Sequence, residues 1–130
     1  METPDRRTPF SDAELAEFRA LIDAKRRHAL DDVELMRARL KEDREAGSDS
    51  AYSLHMADAG SDAAERERLY QSIARQQTFV GHLDRALRRI ENRTYGVCRV
   101  SGRPISKERL TAVPHTETSI EAKLAEQKRR

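Results

Sequence analysis

At 130 residues the chain has room for one domain, or for a small domain with an extension. Hydrophobic and charged residues each make up 37%, there is no Trp, and mean hydropathy is -0.86, which excludes a thick globular core. A net charge of +2, one cysteine and no long apolar run exclude a strongly basic nucleic-acid binder, an intramolecular disulfide framework and a membrane span. The N-terminus also lacks the apolar core of a signal peptide, so a reducing, cytoplasmic setting is expected.

Residues 1–10, with two prolines and mixed charge, read as a flexible lead-in. Ser11 and Glu14 then form an S-x-x-E capping box, with Phe10 and Leu15 at hydrophobic-staple positions around it. Leu15, Phe18, Ile22, Ala29, Val33, Met36 and Leu40 follow at helical spacing, predicting a helix of about 35 residues that ends near Gly47. Residues 47–61 carry no decisive pattern, and leave open an extension of the first helix, a short separate turn or a loop. Asp62 and Glu65 make a second cap-like pair. Behind them Leu69, Ile73, Gln76, Val80, Leu83, Leu87 and Ile90 are spaced 4, 3, 4, 3, 4, 3, a heptad seam with one polar member. Two such stripes predict a mainly α fold built on a long antiparallel helical hairpin over residues 11–92, with its tip around 47–62. A hairpin buries one seam per helix, which accounts for the low hydrophobic fraction without invoking disorder.

The period changes after residue 92. Gly96, Gly102 and Pro104 punctuate short apolar pieces containing Tyr95, Val97, Val100, Ile105, Leu110 and Val113, which predicts one or two short hairpins in a small unit spanning 93–130. Thr118 and Glu121 are placed to cap a final helix running into Lys128-Arg129-Arg130. Charge is polarised along the chain. From Glu42 to Glu67 eight acidic residues face Arg44 and Arg66, net -6, whereas from Arg85 to Arg109 eight basic residues face Glu91 and Glu108, net +6.

A helical hairpin followed by Tyr95-Gly96-Val97-Cys98, the Gly102-Arg103-Pro104-Ile105 turn, Arg109-Leu110 and Pro114, and then a terminal helix, resembles the DksA/TraR zinc-finger family, best over residues 83–123. The resemblance implies a protein that binds bacterial RNA polymerase, inserts the hairpin through its secondary channel and resets promoter-complex lifetime, often with the alarmone ppGpp. It also implies four zinc cysteines in two C-x-x-C pairs, but these positions hold Cys98, Ser101, Ser119 and Ala122. One thiol, even with His115 nearby, is half a tetrahedral site, so a degenerate finger without zinc is expected.

The family's working residues are tip aspartates in a D-x-x-D-x-A pattern. Here Asp58 and Asp62 are four apart; counting back from Cys98 favours Asp58, and the Asp-Ala-Ala match favours Asp62. A plainer reading makes Asp62 a helix cap and Asp58 a solvated charge. Candidates for polymerase or alarmone contact are Arg85, Arg88, Arg89, Arg93, Arg99, Arg103, Lys107 and Arg109, because arginine forks suit phosphate, although the same run also suits a solvated face. Cys98 reads either as a thiol activated by Arg99 and Arg103 or as a small buried packing residue. His28, His55 and His82 have no i, i+4 histidine partner and are given no metal role. No nucleophile–base set or phosphate-cradling loop is present, so no enzyme activity is expected. Two other function classes stay open beside the polymerase-binding regulator, a nucleic-acid-binding module using the basic segment and a coiled-coil dimer or scaffold.

Overall fold

In the computed structural model the described backbone covers residues 7–46 and 52–129, with side chains described for 7–44 and 62–129. Four helices follow one another: α1 Asp12–Ala46, α2 Tyr52–Glu91, α3 Lys107–Ala112 and α4 Ile120–Lys128. The start of α1 is written in its cap. Ser11 Oγ accepts from the Glu14 N–H at 3.2 Å, and Glu14 Oε1 accepts from the Ser11 N–H at 3.0 Å, so two amides with no intrahelical partner are satisfied reciprocally. Phe10 packs on Phe18, ring centroids 5.2 Å apart, and both rings meet Tyr95, at 6.4 Å from Phe10 and 5.3 Å from Phe18. The lead-in is therefore held from Thr8 onward, where the Thr8 N–H also donates to the Arg93 carbonyl at 2.8 Å.

The second helix begins ten residues earlier than the Asp62 cap signal suggests, so Asp62 is an interior, half-buried residue of α2 and not its N-cap. Residues 52–61 belong to α2, whereas the expected alternatives were an extension of the first helix, a short turn or a loop; residues 47–51 themselves lie outside the described residues.

The chain divides into two compact units, one of residues 1–26 with 81–130 and one of residues 27–80. In the second, Val33 and Leu40 of α1 bury against Leu69 and Ile73 of α2, with Met36 at the margin. Arg39 meets Glu65 across that pair at 3.6 Å. In the first, Leu15, Phe18 and Ile22 of α1 are buried along with Leu83, Ala86 and Ile90 of α2. Two cross-helix ion pairs, Arg19–Glu91 at 3.9 Å and Arg26–Asp84 at 2.7 Å, fix the antiparallel register there, since the α2 partner number falls as the α1 number rises. Most of the expected seam positions are buried; Met36, Gln76, Val80 and Leu87 are half-buried, and Ala86, outside the expected seam, is buried as well.

A Schellman motif ends α2. The Thr94 N–H reaches the Arg89 carbonyl and the Arg93 N–H reaches the Ile90 carbonyl, with Arg93 at φ 60 where glycine usually stands. Beyond it the expected hairpins reduce to one antiparallel bridge, Val97 with Pro104. It is flanked by Cys98 N–H to Arg103 C=O at 2.9 Å and Ile105 N–H to Gly96 C=O at 2.7 Å, and Gly102 takes the tight turn at φ 72. The segment expected to pair further instead forms α3, capped by Ser106 Oγ accepting from the Arg109 N–H. Its S-x-x-R sequence offers only half of a capping box, so the helix was hidden in the sequence. Tyr95 is fully buried and donates its hydroxyl to the Pro114 carbonyl at 2.7 Å, tying the start of this unit to the end of α3. The final helix is capped by Ser119 and not by Thr118, with Ser119 Oγ accepting from the Ala122 N–H at 3.2 Å.

Candidate functional site

Of the positions expected for zinc ligands, Ser101 and Ser119 meet the sulfur of Cys98, whereas the Ala122 N–H goes to Ser119 Oγ. Cys98 is fully buried, and its Sγ accepts from the Ser101 N–H at 3.5 Å. The Ser101 hydroxyl and the backbone amides of Ser119 and Val100 are also directed at it. Burial raises the thiol pKa, but these donors together outweigh it and bring it from 9.0 down to about 6. Ser119 is committed to capping α4 and Ala122 supplies only its N–H and a methyl group. A single thiolate among hydroxyls and amides does not fit a tetrahedral structural zinc. Among the described residues, no group of three or more His, Cys, Asp or Glu is placed to share a metal. The fold of the knuckle is kept by hydrogen bonds to sulfur instead, and Cys98 takes its buried role.

The second feature is a basic groove in the same unit, with a cavity of about 280 Å³. The C-terminal part of α2 supplies His82, Arg85 and Arg89, the knuckle supplies Arg99, the 113–118 segment supplies His115 and Glu117, and α4 supplies Lys123. Local folding explains why these distant residues meet. The Arg99 N–H donates to the Glu117 carbonyl at 2.8 Å, which lays the segment before α4 along the knuckle. Arg109 then clamps that segment through Nε to the Thr118 carbonyl at 2.8 Å and Nη2 to Thr116 Oγ1 at 3.2 Å.

Within the groove His82 and His115 stack with centroids 5.7 Å apart. Arg85 Nη2 donates to His82 Nδ1 at 2.7 Å; because guanidinium can only donate, that nitrogen is the acceptor and the ring is held as the Nε2–H tautomer. Burial lowers the pKa of His115, and the neighbouring positive charges of Arg89, Lys25 and Lys123 lower it further, so its ring is neutral at pH 7. Arg89 donates to the His115 carbonyl at 3.2 Å and to Glu117 Oε1 at 3.0 Å; Arg99 Nε meets the other oxygen, Oε2, at 3.6 Å. Several fixed cations, two stackable rings and one bridging carboxylate make a surface that attracts a compact polyanion and offers its organic part a flat face.

Of the basic residues singled out from sequence, Arg85, Arg89, Arg99 and Arg109 come together here, with Arg109 acting as the clamp. Arg88 and Arg103 are exposed elsewhere, Arg93 ends α2 and pairs with Asp12, and Lys107 pairs with Glu14 at the α1 cap. His82, His115, Glu117 and Lys123 were missed as groove residues. They come from three segments with no mutual spacing, and only the i, i+3 relation of His82 to Arg85 hinted at a shared face. Asp62 lies on α2, and the side chain of Asp58 is outside the described residues.

No family model matches the chain. Among curated proteins it is 35% identical over 74 residues to the RNA polymerase-binding transcription factor DksA of Caulobacter vibrioides, covering 57% of this chain and 52% of that one. It is 37% identical over 75 residues to the uncharacterized protein YteA of Bacillus subtilis, covering 58% of this chain and 31% of that one. The chain thus spans from about a third to about half the length of these relatives. Among solved structures it is similar to transcription factor DksA2 from Pseudomonas aeruginosa, at 29% identity and a TM-score of 0.80, covering 92% of this chain and 87% of that one. The chain is thus DksA-like in sequence and in fold.

Proposed function

We propose that this protein is a cytoplasmic transcription regulator that binds bacterial RNA polymerase through its secondary channel and alters promoter-complex stability. The observation that carries the reading is the joint likeness to a DksA2 structure over nearly the whole chain and to a relative named for binding RNA polymerase. The charge polarity supports a division of labour. The acidic tip, with Asp58 and Asp62, is the working end, and the basic groove is the site for ppGpp, whose phosphates match Arg85, Arg99 and Lys123 and whose base matches the stacked imidazoles. Neither catalysis nor a resident zinc has a role in this reading. Nor does direct DNA recognition, because the net -6 middle opposes phosphate binding. The absence of any described helix long and apolar enough to cross a membrane is in keeping with it.

The test is open-complex lifetime on a short-lived promoter with wild type and with Asp58→Asn/Asp62→Asn. Wild type shortens or lengthens the lifetime, while the double variant still binds core polymerase and leaves the lifetime unchanged. Unaltered lifetimes with saturating wild type would contradict the proposal.

A further inference from the structure

The basic groove contains its own anion. Glu117 spans two guanidinium groups, Oε1 on Arg89 Nη1 at 3.0 Å and Oε2 on Arg99 Nε at 3.6 Å, with one oxygen on each, which is how a phosphoryl group would sit between the same forks. We infer that Glu117 is a built-in competitor of the groove's phosphorylated ligand, a carboxylate that must leave Arg89 and Arg99 before the ligand can engage them. This deepens the proposed function and rests on its reading of the groove as a site for a phosphorylated ligand.

Three observations carry it. The backbone of Glu117 is anchored independently of its side chain, because its carbonyl accepts from the Arg99 N–H at 2.8 Å and the next carbonyl, that of Thr118, accepts from Arg109. Release of the carboxylate therefore needs a side-chain rotation and no loop rearrangement. The pair is also unequal in burial: the Arg89 side chain is 20% exposed, whereas those of Glu117 and Arg99 are 45% and 56% exposed. The carboxylate lies at the mouth of the groove over a deeper, partly desolvated guanidinium, the end from which it can swing into water. Finally, a carboxylate this exposed to water holds its partners weakly, so a polyanion can displace it whereas a singly charged anion gains little over the carboxylate already present. The physical consequence is a charge threshold. Glu117 holds Arg89 and Arg99 in a ligand-ready geometry and lowers the groove's affinity for ordinary anions.

The experiment is calorimetric titration of inorganic pyrophosphate into the full chain at fixed ionic strength. The proteins are wild type, Glu117→Gln, and Glu117→Gln combined with Arg99→Ala; far-UV circular dichroism reports folding. Glu117→Gln keeps an oxygen acceptor for Arg89 while removing the charge, and Glu117→Ser provides a second neutral variant should the amide disturb the segment. The expected result is about tenfold tighter pyrophosphate binding by the neutral variants than by wild type, a gain of about 1.4 kcal/mol. Adding Arg99→Ala removes that gain. Equal affinity of wild type and neutral variants overturns the competitor role and leaves the groove reading standing. Folded neutral variants that bind no pyrophosphate overturn both.

Discussion

Gly96 stands where two constraints coincide. Its φ is 85, a region that side chains rarely adopt, and a Cβ there would lie 2.3 Å from Phe10 Cε2 and 3.0 Å from Phe10 Cδ2. The ring cannot move away freely, since it also packs on Phe18 and Tyr95. Gly96→Ala should therefore cost about 2–4 kcal/mol, combining backbone strain with overpacking, as read by urea denaturation. An unchanged midpoint would show that the lead-in does not pack there. Cys98 makes a second residue-scale prediction. Its thiol titrates near 6 in the folded chain against 9.0 when unfolded, so the thiolate's stabilisation is complete above 9.0 and is lost as pH falls to 6. Wild-type stability should rise across that window, Cys98→Ser should lack the rise, and chelation by EDTA should shift neither curve. A chelator-sensitive melt would instead mark a bound metal.

At the scale of elements, the α1 N-terminus is joined to α3 through one carboxylate. Glu14 caps Ser11 and also meets Lys107, and that lysine contact, followed by the Ser11 amide, lowers its pKa from 4.5 to about 2. A depressed carboxyl stabilises fully above 4.5 and loses its contribution as pH falls to 2. Denaturation of wild type and Glu14→Gln should differ by a constant amount above pH 5, with the gap closing between 4.5 and 2. A gap independent of pH would assign Glu14 a purely steric role. The cap of α1 was legible because S-x-x-E with flanking apolar residues is a local signal. The α2 seam was legible in part: Leu69, Ile73, Leu83 and Ile90 are buried, while Gln76, Val80 and Leu87 are only half-buried and Ala86 takes the buried place beside Leu87. The α2 start was misplaced because Asp62 and Glu65 imitate a cap inside a helix, and α3 was missed because six residues carry too little periodicity to announce themselves. The N-cap of α4 fell on Ser119 and not Thr118 because two adjacent hydroxyl residues offer the same local signal, which spacing alone does not separate.

For the whole molecule, family resemblance and polarity of charge were readable in one dimension, but the groove was not. Arg89, Arg99 and Lys123 become neighbours only because the 113–118 segment is laid on the knuckle by backbone hydrogen bonds. Backbone amides and the Ser101 hydroxyl directed at Cys98 Sγ tie the knuckle turn to the start of α4 beside it. Action on RNA polymerase is tested most directly by competition for purified bacterial core enzyme against a labelled secondary-channel factor. Micromolar or tighter competition by the wild-type protein is the result predicted here. No displacement at tens of micromolar, with the protein folded, would contradict the account and leave a DksA-like fold serving a different partner.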